Sequence, residues 1–210
     1  MLDPILKYLV QGISVIEDEY GAINRIMSKQ VGSYGETNGK KVCFLEPPSS
    51  SVLSGVNSQE YNGFEMPTDN GMVLNSGGDQ KNTVIYRTEE RYLPLEELKF
   101  DIIVFDSFST YIFGKPENEV VDLMEEIRRI SRQGKSFVLT TESQMLSDRI
   151  NAYIRSSVDT VIIVKADIAL NKVNRYLYIP KMIGSKPLDR IVKITIEDTG
   201  VDIDTREFVG

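Results

Sequence analysis

Residues 13–30 read ISVIEDEYGAINRIMSKQ, and the fold follows from how this stretch is parsed. Ile13 to Ile16 form a short apolar run that predicts a strand. Beyond Gly21, the residues Ile23, Ile26, Met27 and Val31 recur at helical spacing. The chain therefore opens on a strand, a turn and an amphipathic helix.

Working outward, Lys41–Leu45 (KVCFL), Thr83–Arg87 (TVIYR), Ile102–Phe105 within FDIIVFDS, and Ser136–Thr140 (SFVLT) read as further strands. Their continuous apolar character is that of strands buried on both faces of a parallel sheet. Val120, Leu123, Met124, Ile127 and Ile130 form one helical stripe. Acids lie early in it (Glu117, Glu119), arginines late (Arg128, Arg129, Arg132), and Gly134 stops it. A further helix is marked by Leu146, Ile150, Tyr153 and Ile154. Val158–Lys165, Tyr176–Pro180 and Val192–Glu197 then follow with no helix between them, as antiparallel strands do. The expected class is α/β: a mostly parallel central sheet flanked by helices, with antiparallel C-terminal strands. Residues 1–210 read as a single domain, with 47–82 as a long polar loop or insertion.

Composition removes several function classes. The chain has no histidine, which excludes Ser-His-Asp and Cys-His catalysis and the commonest zinc ligand. Its single cysteine, Cys43, lies in an apolar run and reads as a small buried side chain, so there is no disulfide framework. A net charge of −7 argues against autonomous binding to a nucleic-acid backbone. No stretch approaches the ~18 apolar residues of a membrane span, and no signal-peptide layout is present. A cytoplasmic protein without membrane partners is expected.

In a parallel α/β sheet, ligands sit beyond the carboxyl ends of the strands. Three such ends are polar here: Glu17-Asp18-Glu19, Glu46, and Asp106-Ser107. Acids at adjacent strand ends suit a magnesium-nucleotide site. Each also has a plainer reading. Glu17-Asp18-Glu19 can be an acidic turn, Glu46 before Pro47 a solvated loop residue, and Asp106-Ser107 a cap on its strand. Thr140-Thr141-Glu142 reads as a cap for the helix that follows.

Taken in order, ISVIEDEYGAINRIMSKQ, NGKKVCFLE, LEELKFDIIVFDSFS, GKSFVLTTES and RYLYIPKMIGS resemble the RecA-like ATPases, in particular the archaeal KaiC-like and FlaH-like branch. The resemblance begins at Leu2-Asp3 and spans nearly the whole chain, with no counterpart for Pro47 to Asn82. It implies a P-loop NTPase fold. It also implies that the phosphate loop, G-x-x-x-x-G-K-[ST], falls on Asp18 to Arg25.

That loop is degenerate. Asp18 stands at its first glycine, Ile23 at the second, Asn24 at the lysine and Arg25 at the magnesium-holding hydroxyl, while Gly21 survives in the middle. Glycines let backbone amides surround the phosphates, and the lysine adds a cation. Its loss forfeits roughly 1.5–3 kcal/mol. A carboxylate about 4 Å from a phosphate adds up to about 4 kcal/mol of repulsion at an effective dielectric of 20. By the same resemblance, Asp106-Ser107 is the Walker B-like end, and Glu46 is the first of two catalytic glutamates, the second position holding Pro47. Lys181 and Ile183 occupy the finger that the family lends to a neighbouring subunit's nucleotide, with Ile183 where an arginine is expected.

The expectation is a catalytically inactive RecA/KaiC-like subunit that binds other proteins, either an active RecA-family ATPase or copies of itself. No resident cofactor or metal is expected, and at most weak ATP and magnesium. One alternative is a weak nucleotide-binding ATPase or sensor using Glu46, Asp106, Arg25 and Lys181. The other is an accessory in DNA recombination or repair, in the manner of inactive RadA paralogues.

Overall fold

A computed structural model describes residues 3–19, 21–46, 72–75, 83–87, 95–169, 172–187, 190–197 and 200–203. Among them the helices are α1 (Asp3–Leu9), α2 (Ala22–Thr37), α3 (Phe108–Ile112), α4 (Glu117–Ser131) and α5 (Asp148–Ser157). The strands are β1 (Ile13–Asp18), β2 (Val42–Glu46), β3 (Met72–Asn75), β4 (Thr83–Arg87) and β5 (Ile102–Phe105). They continue as β6 (Ser136–Glu142), β7 (Thr160–Ala169), β8 (Lys172–Lys181), β9 (Val192–Glu197) and β10 (Gly200–Ile203). One sheet holds them in the order β10-β9-β8-β7-β1-β6-β5-β2-β4-β3. Pairing is parallel from β7 through β4 and antiparallel at both flanks.

Strand alternation divides the core in two. Ile13, Val15, Cys43, Leu45, Ile103 and Phe105 face one side, where α3, α4 and α5 pack. Ile16, Val42, Phe44, Ile102 and Val104 face the other, beneath α1 and α2. Successive side chains of a strand point to opposite faces, so an uninterrupted apolar run serves both cores at once. Burial pushes the Cys43 thiol up to about 12, leaving it an apolar filler at neutral pH. The α4 stripe is buried as its spacing requires, at Val120, Met124, Ile127 and Ile130.

The structure corrects several boundaries. α1 precedes the first strand–helix unit, with Ile5, Leu6 and Leu9 buried. α3 was not expected; its burial of Phe108 and Ile112, with the Phe108 ring edge-on to Phe105 at 5.3 Å, explains why it forms. Part of the supposed loop at 47–82 is strand, because β3 pairs antiparallel with β4. The remainder of that segment lies outside the described residues. β7 and β8 are each ten residues long and pair out to Ala169 and Lys172, well past the apolar runs that announced them. β10 is held at the edge by Gln30 of α2. The Gln30 side chain donates to the Val201 carbonyl at 3.1 Å and accepts from the Val201 amide at 3.0 Å.

Helix α2 lies close on the sheet because two of its residues lack a Cβ. A methyl at Gly32 would sit 2.5 Å from the tip of the Phe44 ring, and one at Gly35 would sit 2.7 Å from Ile102 Cδ1. Gly32→Ala gains about 1 kcal/mol of helix propensity but overpacks a rigid ring at a cost of about 1–3 kcal/mol. A net loss of stability in urea unfolding is expected; a more stable variant would show that the helix can lift freely.

Candidate functional site

The parallel register of β1, β6, β5 and β2 sets four carboxyl-bearing strand ends side by side. Asp18 is the direct partner of Glu142 across β1 and β6. Phe105 is the partner of both Leu139 and Leu45, which places Asp106 beside Glu46. Helix α2 starts above this edge at Gly21, whose φ of 74° lies in the left-handed region. Glycine adopts that conformation without strain, and a Cβ there would also stand 3.0 Å from Glu142 Oε1.

The residues at the end of β1 and the start of α2 are bonded to their own chain. Asp18 is buried, and its Oδ2 accepts from the amide of Ile23 in the first turn of α2 at 2.9 Å. An amide that a phosphate loop would aim at its ligand therefore meets an internal carboxylate. Asn24 is also buried. Its side-chain amide donates to the Thr141 carbonyl at 3.0 Å and to Glu142 Oε1 at 3.4 Å. Its Oδ1 has no partner, which costs about 1–3 kcal/mol for a buried acceptor.

Glu142 is the hub. Its Oε2 accepts from Ser107 Oγ at 3.0 Å and from Ser109 Oγ, while its backbone amide donates to Ser109 Oγ at 3.1 Å. Ser107 also shares a hydrogen bond with Thr110 Oγ1 at 2.6 Å, and its amide donates to Thr140 Oγ1 at 2.7 Å. Ser107 is the only non-glycine residue at positive φ among those described, at 66°. That strain, of order 1–3 kcal/mol, accompanies the pose in which its hydroxyl meets Glu142. Glu142 stands at the N-cap position of a 3-10 turn, Ser143–Met145, but its side chain makes no cap bond there and turns to the serines instead. Thr140, Thr141 and Glu142 all lie in β6, and α5 is capped instead by Ser147, whose Oγ accepts from the Ile150 amide at 3.3 Å.

Two further plain readings are also corrected. Glu17 and Asp18 end β1 and are buried, so only Glu19 lies in a turn. Glu17 is held by Arg155, whose Nε donates to Oε2 at 2.7 Å and whose Nη2 donates to Oε1. Glu46 is no solvated loop residue. It ends β2, is 7% exposed, and lies 3.8 Å from Arg25 Nη2. Burial above all, then the Glu46 charge, pushes the Asp106 carboxyl up to about 6, with Glu142 adding to the effect and Arg25 and Lys29 opposing it. Lys181 is turned onto its own chain, donating to the carbonyls of Ser156 and Val158. Ile183 donates its amide to Thr160 Oγ1 at 3.3 Å. Among the described residues no cluster of three or more His, Cys, Asp or Glu is arranged to hold a metal ion. No described helix is long and apolar enough to cross a membrane.

The structure thus brings Asp18, Gly21, Ile23, Asn24, Asp106 and Ser107 to one edge, with Arg25 and Glu46 beside them, and keeps Lys181 and Ile183 elsewhere. Sequence reasoning passed over Ser109 and Arg155 and gave Glu142 only a capping role. The available signal was Glu142 at the end of a buried strand, the same pattern that flagged Glu46 and Asp106.

Two stability measurements follow. The raised Asp106 carboxyl favours the protonated folded state, so its contribution is fully present below the ordinary value of 3.8 and is lost as pH rises through about 6. Asp106→Asn is expected to be more stable than wild type at pH 7.5 by on the order of 1–2 kcal/mol, with the difference closing toward pH 4. A difference that does not change with pH would contradict the raised value. Arg155→Ala leaves the Glu17 carboxylate buried without its guanidinium and should cost about 2–4 kcal/mol in urea unfolding. A cost below about 0.5 kcal/mol would mean water replaces the pair freely.

The chain matches no protein-family model and no curated protein. Solved structures do resemble it. The flagellar accessory protein FlaH from Methanocaldococcus jannaschii superposes with a TM-score of 0.66 at 17% identity, covering 92% of this chain and 89% of that one. A KaiC-like protein from the hyperthermophilic archaeon Pyrococcus horikoshii gives a TM-score of 0.62 at 14% identity, covering 91% and 88%. With its parallel core and antiparallel C-terminal strands, this chain has the RecA-like α/β fold of the archaeal KaiC-like and FlaH-like proteins.

Proposed function

We propose that this chain is a catalytically inactive RecA/KaiC-like subunit that acts by binding other proteins, as a regulatory or scaffold partner of an active RecA-family ATPase or of further copies of itself. One observation carries the reading. The donors at the start of α2 and the end of β5 are already taken by the chain's own carboxylates, Asp18 on the Ile23 amide and Glu142 on Ser107, Ser109 and Asn24. A triphosphate arriving there would have to displace two anions bound to their donors. It would find Asn24 in place of an ammonium group. Each uncompensated charge contact of this kind is worth up to about 4 kcal/mol at close range, and about 1.4 kcal/mol corresponds to a tenfold loss of affinity.

The rest of the site supports the same reading. Arg25 is within ion-pair distance of Glu46, and Lys181 bonds carbonyls of its own chain. FlaH is itself named an accessory protein, which accords with a role beside another machine. Weak nucleotide binding and a recombination accessory role remain the competing functions, and neither has a specific contact in its favour.

Calorimetry provides the test. Wild-type protein is expected to give no saturable heat with Mg-ATP or Mg-ADP at about 1 mM, near −4 kcal/mol of binding. Light scattering and pull-down from native cytosol should return an assembly. Micromolar Mg-ATP binding or measurable turnover would overturn the reading, as would a chain that remains an isolated monomer under every condition.

A further inference from the structure

Beyond the strand ends, a cleft of about 1030 Å³ opens between the β7–β8 hairpin, the start of α5 and the segment leading into β9. None of the residues at the start of α2 lines it. β1 accompanies β7 only as far as Val164, and β9 accompanies β8 only from Leu177 to Arg175. The hairpin continues to Ala169 and Lys172 with only its own two strands paired, and so forms a projecting wall. Tyr176 and Tyr178 lie two residues apart on β8 and therefore share a face of that wall. Tyr178 is 41% exposed, and Ile191 on the opposite lip is 69% exposed.

The charge in this cleft is one-sided. Four carboxylates and two cations line it, but Arg155 is committed to the buried Glu17. Asp148 also lies in the field of Arg155, and Glu19 accepts from Gln144 Nε2 at 3.1 Å, so the lining is net negative with Lys165 as its second cation. Tyrosine rings beside acids attract cations twice, through the ring face and through the carboxylates. An apolar lip adds an anchor for a hydrophobic neighbour. A phosphate-bearing or acidic ligand would meet an excess of negative charge.

We infer that this cleft is the docking site for a basic segment of a partner protein, one in which lysine or arginine alternates with a leucine or an aromatic residue. The inference rests on the protein-binding reading above and names the chemistry of the partner. Opposite charges fix the register and speed the encounter, while the tyrosines and Ile191 supply the buried contact. Strong salt dependence follows, because the acids lie at the rim.

The probe is a fluorescein-labelled peptide, KLKYKLKY, followed by anisotropy with the full chain, alongside ELEYELEY as its acidic counterpart. Wild type is expected to bind the basic peptide and not the acidic one, with affinity falling at least tenfold between low and high salt. The triple variant Glu19→Gln/Asp148→Asn/Asp167→Asn should lose at least tenfold, and Tyr178→Ala at least threefold. A control with the same change in net charge, Glu97→Gln/Glu119→Gln/Asp122→Asn, should bind as wild type does. Hydrogen exchange on peptide addition should protect residues 143–155 and 165–178.

The inference is overturned if the two triple variants weaken binding equally, if the cleft variant binds like wild type, if the acidic peptide competes, or if protection appears elsewhere. Failure of the inactive-subunit reading would show separately, as micromolar Mg-ATP binding, so the two can be told apart.

Discussion

The parallel pairing of β1 with β6 sets Asp18 beside Glu142, and the chemistry of this molecule's sheet edge depends on that register. A shift of one residue along either strand would turn each side chain to the opposite face. Glu142 would then leave Ser107, Ser109 and Asn24, and Asp18 would leave the first turn of α2. The register is fixed from below, because Val15 and Ile16 of β1 and Val138 and Leu139 of β6 are buried in the two cores. Core packing that has nothing to do with ligands therefore decides which polar groups meet at the edge.

What meets there is an arrangement in which anion-accepting groups have found anions within the protein. The start of a sixteen-residue helix carries partial positive charge and amides without helical partners. In a working nucleotide site these features await a phosphate. Here carboxylates supply the negative charge and hydroxyls supply the geometry. Gly21 is left-handed at the start of the helix, and the Ile23 amide is satisfied by Asp18. The unpartnered Asn24 Oδ1 and the left-handed Ser107 are the local costs of this arrangement.

Much of this was legible in the sequence. The buried parallel strands were visible because each is an uninterrupted apolar run, and the polar residues at their ends could be counted off directly. The departure from G-x-x-x-x-G-K-[ST] at Asp18, Ile23, Asn24 and Arg25 is what the family resemblance implies, and the structure adds that Asp18, Ile23 and Asn24 are buried. Partner choice was not legible. That Asp18 caps Ile23, or that Arg155 reaches across 138 positions to Glu17, depends on tertiary placement that no local pattern encodes. Glu142 reads as a cap in the sequence because a polar residue ahead of a helix most often is one. The full length of the β7–β8 hairpin was hidden because its outer half mixes charged residues with Ile168 and Val173, which stay exposed without a core to bury them.

Gln30 gives the molecule a further property. The helix whose first turn sits over the paired carboxylates holds the terminal strand of the sheet farther along its length, through both the amide and the carbonyl of Val201. α2 therefore acts as a rigid lever with one end at the sheet's central crevice and a grip on its far border. Peeling β10 away breaks that grip together with the packing of the buried Val201 against the core beneath the helix. Tilting the helix must in turn drag β10 or release it. Distant parts of the sheet are thus linked through a neutral side chain and the apolar packing beside it, and the link needs no change of charge to transmit force.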